Sequence, residues 1–377
     1  MTGSSPHLYR LRGIKEGLDA GVVTRAARQV AHLQAHGSYP LLSLGHLAHV
    51  TGASYPYLRQ IVERLRDPYG DIVRQKRSGA IRSISSPEPT LMEVQRWILN
   101  NLVSRVQLHP SSHAYQSGRS IVGCAQRHIG ARWLIKLDLH DFFEEITEPR
   151  VFGVFKELEY APLLSLELTR ICTRLRIRRD EGYRAFRTYT AVPSYITSAP
   201  GVLPQGAPTS GALANAVART LDGKLSELAA NRGLIYTRYS DDLVFSSTDA
   251  FDRRHASNLI SHMRRIVEDQ KFRLHAKKTR VIPPGARHIV LGLLVDEERI
   301  RLLPEYKRRI KVHVRGVRRF GLSAHAAHRK FDSIFAFIDH VDGSLAFAAS
   351  VDSEFALRMR LEWNDALASR GYPVTVG

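Results

Sequence analysis

The sequence predicts an α+β chain in which a small antiparallel sheet is embedded among helices and followed by a basic, all-helical C-terminal region. Three observations carry this. Short β-rich runs at 132–143 and 234–247 are separated by long segments with helical spacing of apolar residues. The second run has the pattern of a hairpin, apolar residues on either side of a tight "SDD". Everything after Pro304 keeps a helical period to about Gly371. Long helical crossovers combined with an antiparallel hairpin argue against a doubly wound parallel sheet. At 377 residues the chain can bury a sizeable core and form two or three subdomains.

In order along the chain, residues 14–36 have helical spacing, and 41–66 read as helix, turn and helix. That pair fits either a DNA-binding helix-turn-helix or two packing helices of an N-terminal extension. "DIVRQKRSGAIRSISSPEP" is expected to form a basic hairpin turning at "RSGA", and 91–105 an amphipathic helix. A strand is predicted from Arg132, ending in acids and aromatics at "DLHDFF". Helices are expected over 149–178, from Ser210 as N-cap, and over 251–270. Short strands are expected in "RLHAKKTRVIP" and "HIVLGLLVDEERIRL".

Composition narrows the partner. Lys and Arg number 55 against 36 Asp and Glu, a formal net charge of +19, which favours a polyanion. No run approaches the ~18–20 apolar residues of a spanning helix. The opening "MTGSSPHLYRLRG" has no apolar segment of signal-peptide type, so no membrane association and a cytoplasmic setting are expected. Two cysteines, Cys124 and Cys172, form no disulfide framework and lack metal-site spacing, so zinc is not expected.

The chemistry sits in acids. Asp138 closes the apolar run "LIKLD", and Asp241 and Asp242 lie side by side in "RYSDDLVFS". Neighbouring strand residues face opposite ways, so a tight turn is needed to bring both hairpin acids to one exposed tip. If the two strands are sheet neighbours, three carboxylates meet and repel one another unless cations sit among them. An all-oxygen donor set selects Mg²⁺, with Mn²⁺ as the alternative, and two such ions suit in-line phosphoryl displacement. Nucleotidyl transfer is the implied reaction.

With these motifs in order, the sequence resembles the bacterial retron-like reverse transcriptases over roughly residues 45–320. "KRSGAIRSISSP" resembles the fingers element, "HAYQSGRSI" the block ending in GRS, and "LIKLDLHDFF", "LPQGAPTS" and "YSDD" the first three palm motifs. "HAKKT" is similar to the fourth, and "VLGLLVD" to the primer-grip region. The resemblance implies a right-hand polymerase fold: a helical N-terminal extension over 1–66, fingers and palm over 67–300, and a thumb over 301–377. It implies RNA-directed DNA synthesis from dNTPs with two Mg²⁺ held by Asp138, Asp241, Asp242 and the Leu139 backbone.

It further implies Lys278 as general acid. Lys76 and Arg82 would meet the triphosphate, Phe143 would act as steric gate against a ribose 2′-hydroxyl, and Gln205 and Gly206 would line the nascent base pair. Arg119, Tyr239 and Ser240 would meet template or primer, and Lys307, Arg308, Lys311 and Arg315, with Arg318 and Arg319 beyond them, a duplex. One of Phe142 and Phe143 is expected in the core.

Four departures stand out. Ser240 replaces an alanine, "VLG" replaces VTG, no NAxxH string occurs between 150 and 203, and His275 replaces an asparagine. They fit the defence-associated bacterial lineages better than a retron with its cognate structured RNA. An effector protein and an oligomer are expected as possible partners. The rival readings are protein-primed or template-free DNA synthesis on the same core, and a nucleic-acid-binding protein with an idle site.

Overall fold

The computed structural model describes residues 11, 13–75, 81–175, 201–249, 252–369 and 371–372. The N-terminal part contributes α1 (Ala20–Ala35), α2 (Leu44–Thr51) and α3 (Tyr55–Val62). The helix expected over 14–36 begins its long stretch only at Ala20, because Gly17 takes φ 71° and Asp19 caps the new start by accepting from the Val22 amide. α2 and α3 are separated by Gly52 in the left-handed region (φ 70°), and Ser54 caps α3. Both helices bury leucines in one core with the sheet, as packing helices do.

Next come the hairpin strands β1 (Tyr69–Gln75) and β2 (Ile81–Pro87), then α4 (Pro89–Asn101) and α5 (Ile121–Gln126). The central strand β3 (Trp133–Asp138) is followed by α6 (Glu148–Glu157) and α7 (Pro162–Cys172). The helical expectation for 149–178 fails at its end: α7 stops at Cys172, and β4 (Arg174–Leu175) pairs with β5 (Gly201–Val202) instead. That end is held by a buried cluster in which Glu148 accepts from the Gly201 amide at 2.8 Å and pairs with Arg64. Arg64 also donates to the Thr173 carbonyl at 2.8 Å, tying the N-terminal helices to this corner.

α8 (Ser210–Ala230) leads to β6 (Ile235–Tyr239), β7 (Asp242–Ser247) and α9 (Arg253–Asp269). β8 (Arg280–Ile282) completes a four-stranded sheet of order β6-β7-β3-β8, antiparallel throughout. Here too the expectation shifts, since "AKK" is a 3₁₀ turn and only Arg280–Ile282 is strand. A three-stranded sheet of β9 (Ile289–Val290), β10 (Leu293–Val295) and β11 (Ile300–Leu302) precedes the helices α10 (Pro304–Phe320), α11 (Leu322–His328), α12 (Ile334–Ala349) and α13 (Ser353–Ala368).

Strand alternation makes the central sheet a wall between two cores. Ile135, Leu137, Leu243 and Phe245 face a core shared with α2–α4 and α6–α9. Leu134 and Val244 face a second core built with β9–β11 and α10–α13. A sheet buried on both faces leaves only its strand ends for polar chemistry. No helix among the described residues is long and apolar enough to cross a membrane.

Candidate active site

All three acids lie at one end of this sheet. Asp138 ends β3 and is the register partner of Asp242, which opens β7. Asp241 sits in the two-residue turn Ser240–Asp241 that joins Tyr239 to Asp242. The turn resolves the geometric problem of adjacent acids, because only Asp242 obeys the strand pleat. Its first central residue, Ser240, takes φ 58°, the positive value that a tight hairpin of this twist demands. The Leu139 amide donates to the Asp241 carbonyl at 2.9 Å, carrying the β3–β7 pairing one residue past the acids.

The electrostatics suit a cation. Burial, and then the charges of Asp241 and Asp138, push the Asp242 carboxyl up to about 6. Lys278 is the counter-charge in place, donating to both Asp138 carboxylate oxygens at 2.9 and 2.8 Å. Burial works against the Lys278 ammonium, but its hydrogen bond to Asp138 and the three acid charges outweigh that and raise it above the ordinary lysine value. The donor set of Asp138, Asp241 and Asp242 is all oxygen and carries excess negative charge, which fits Mg²⁺ or Mn²⁺.

The aromatic pair divides as expected. Phe142 is buried in the core, and Phe143 is half-buried. Tyr115, which the sequence did not single out, lies edge-on to Phe143 with ring centroids 6.1 Å apart. Its hydroxyl is 3.1 Å from Ser240 Oγ. Gly211 makes room for that ring, since a Cβ there would lie 2.4 Å from Tyr115 Cγ. Tyr115 thus links Phe143 to Ser240, the residue that precedes Asp241 in the turn.

Gly206 has φ 124°, and a Cβ on it would stand 2.7 Å from the Ser85 carbonyl oxygen. Its close approach is therefore to the backbone of β2, and the neighbouring Gln205 carbonyl accepts from the Ser85 amide at 2.8 Å. "LPQGAPTS" pins the fingers hairpin to the palm. Ser210 is not the N-cap of α8: Thr209 holds that place, and Ser210 Oγ donates to the Pro204 carbonyl at 2.7 Å, bracing the same loop. Ser120 does cap α5, accepting from the Gly123 amide at 3.0 Å, while Arg119 is exposed beside it.

Lys76 lies outside the described residues, as does the side chain of Arg82, whose backbone pairs with Arg74 in the hairpin. In α10 the basic residues split into two groups. Arg308, Lys311, Arg315 and Arg319 are exposed and follow one another at helical spacing along a single stripe. Lys307 is instead engaged with Asp352, and Arg318 with Asp365 at 2.8 Å, so both are turned toward α13.

Behind the SDD turn is a feature that sequence reasoning missed. Arg238 is fully buried, and its five N–H donors are all used. Nε and Nη2 each reach Asp222 at 2.7 Å, Nη2 also reaches Ser112 Oγ at 3.2 Å, and Nη1 reaches Asn215 Oδ1 at 2.9 Å and the Ser240 carbonyl at 3.1 Å. The SDD turn is thereby bolted to α8 through a buried ion pair. The signal was present: Arg238 interrupts an apolar strand, and Asn215 and Asp222 lie seven residues apart on the buried face of one helix.

Comparisons with known proteins identify the family. Residues 74–303 match the family model described as reverse transcriptase (RNA-dependent DNA polymerase). The chain is 39% identical over 228 residues to the retron Mx162 reverse transcriptase of Myxococcus xanthus, covering 59% of this chain and 46% of that protein. It is 31% identical to the retron Ec86 reverse transcriptase of Escherichia coli, covering 74% of each. To the retron Mx65 reverse transcriptase of Myxococcus xanthus it is 34% identical, covering 79% of this chain and 64% of that protein. The matched region is thus less than two thirds of both Myxococcus relatives, and the departures at Ser240, Val290–Gly292 and His275 occur in a chain this similar to retron enzymes. With three carboxylates at the end of an antiparallel palm sheet and the family model spanning 74–303, the chain belongs to the reverse transcriptase family.

Proposed function

We propose that this chain is an RNA-directed DNA polymerase whose site binds two Mg²⁺ through Asp138, Asp241, Asp242 and the Leu139 carbonyl. The observation that carries the reading is the register partnership of Asp138 with Asp242, which brings acids distant in sequence to one sheet end. The ions, when bound, supply charge neutralisation for phosphoryl transfer. The protein's own part is positioning. Arg238 holds the turn that presents Asp241, and Phe143 with Tyr115 shapes the surface on which a deoxyribose rather than a ribose would rest. Lys278, placed on Asp138, is the proton carrier nearest the acids and the candidate general acid. Lys76 and Arg82 of the fingers hairpin would meet the triphosphate, and the α10 stripe a template–product duplex.

The relatives are named retron reverse transcriptases, and from them comes the proposal that the template is a cognate structured RNA. An antiphage role, with an effector protein or a second copy as partner, rests on the resemblance of lineage alone. Primer extension on a defined RNA with dNTPs tests the core reading: the Asp241→Ala, Asp242→Ala double variant should lose incorporation while keeping its fold. Undiminished synthesis by that variant would sink it. Sequencing the nucleic acid that co-purifies with the chain tests the template, and a plaque assay with the same variant tests the defence role.

A further inference from the structure

Far from the acids, α1 approaches the turn between α6 and α7. His32 in the last turn of α1 and His36 at its C-cap, four residues apart, have ring centroids 4.4 Å apart. Glu159 faces them from the turn, and one ligand atom from each of the three lies within 4.8 Å of the others. We propose that His32, His36 and Glu159 bind one transition-metal cation, of which Zn²⁺ is the model, and that the ion staples α1 to the palm.

One of the three ligand-atom pairs already has the spacing of a filled site, and the third ligand atom lies within 4.8 Å of both. Metal–ligand distances of about 2.0–2.1 Å in a tetrahedron place neighbouring ligand atoms about 3.3 Å apart. His32 Nε2 and Glu159 Oε2 are 3.1 Å apart, so the ion can enter between them with little movement. His36 Nδ1 is 2.8 Å from the His32 carbonyl, a hydrogen bond that puts the proton on Nδ1 and leaves Nε2 as the donor atom, the outer-shell device that orients metal-binding imidazoles. Glu159 is presented by a backbone at φ 66°, and its carbonyl accepts from Gln29 Nε2 at 3.1 Å, one turn before His32. The turn is therefore docked on α1 independently of any ion.

Lys156, the nearby ammonium, is turned away to the Tyr160 carbonyl at 3.1 Å. Two imidazoles and one carboxylate suit Zn²⁺, Ni²⁺ or Cu²⁺ and not Mg²⁺, so this site and the acid cluster select different ions. Counting cysteines gave no warning of it, because no thiolate takes part.

The test is calorimetry with Zn²⁺ on chelator-treated full chain in excess Mg²⁺, with hydrogen exchange of α1 as a second readout. Expected are one Zn²⁺ per chain at micromolar affinity and slower exchange across 20–35. His36→Ala decides between an ion site and a plain ion pair, because it leaves the His32–Glu159 contact untouched. It should weaken Zn²⁺ binding at least tenfold and abolish the change in exchange, and Glu159→Gln should do the same. Binding of equal strength in both variants, or no response of α1 to Zn²⁺ in the parent chain, overturns the proposal.

Discussion

Removing the Asp222 carboxylate would strand the Arg238 guanidinium in a fully buried position. Asp222→Ala deletes two charge-assisted bonds of 2.7 Å to Arg238 and the 2.8 Å bond from the Tyr236 hydroxyl. Breaking a buried pair by removing one partner costs about 3–5 kcal/mol, a large part of the roughly 5–15 kcal/mol that holds a domain together. Arg238→Met leaves the opposite charge uncompensated and should cost a similar amount. The double variant buries neither charge. Urea unfolding of the parent, both single variants and the double should therefore give a coupling of at least about 2 kcal/mol, the double being milder than the sum. Because Arg238 also holds the Ser240 carbonyl, Arg238→Met should lower kcat for nucleotide incorporation even where the chain is folded. Additivity within about 0.5 kcal/mol, or a cost of Asp222→Ala below about 1 kcal/mol, would refute the reasoning.

Four further outcomes are expected. Since Asp242 is pushed up to about 6, a proton competes with a cation there as pH falls. The apparent Mg²⁺ requirement, read by titration at each pH, should rise roughly tenfold per unit below that value. His128 bridges β6 and β7 through contacts of 2.7 Å to Thr237 and 2.8 Å to Ser246, and burial, then the charges of His113 and Arg127, depresses it to about 3. A depressed imidazole contributes stability fully above about 6.5 and loses it as pH falls toward 3, so denaturant midpoints should drop on acidification, less steeply in His128→Gln. Neutralising Arg308, Lys311, Arg315 and Arg319 together should cut the salt-dependence slope of duplex binding by about 3, at roughly 0.7–0.9 per lost contact, whereas Lys307→Gln should reduce stability and leave the slope alone. Ser240→Ala and Tyr115→Phe each remove the 3.1 Å hydroxyl contact, and the double should lose no more than either single, about 0.5–1.5 kcal/mol, read as KM for dNTP.

Much of the site was legible because its chemistry is written in residue types that have few other uses. Acids in an apolar strand end, a turn too tight to be a strand, and glycines beside "PQ" each carry a local reason. The errors fall where local preference lost to tertiary pairing. α7 ends at Cys172 because Arg174 and Leu175 find a partner strand at Gly201–Val202. Ser210 has the chemistry of a helix cap, yet its hydroxyl is drawn to the Pro204 carbonyl of its own loop. The close approach that Gly206 permits to the β2 backbone is likewise a tertiary contact that its neighbours in the chain do not announce.

By itself the sequence determined the order of helices and strands, the hairpin at Ser240–Asp241, the acids, and the basic character of α10. Period, turn residues and charge are properties of neighbours in the chain, so a linear reading reaches them. Only the tertiary structure decided that Asp138 faces Asp242, that Arg238, paired with Asp222, also holds the Ser240 carbonyl, that Tyr115 meets Ser240, and that Lys307 turns inward while Arg308 does not. Those are contacts between residues far apart in the chain. Their energies depend on which groups burial brings together, and burial is settled only once the two cores close on either side of the sheet.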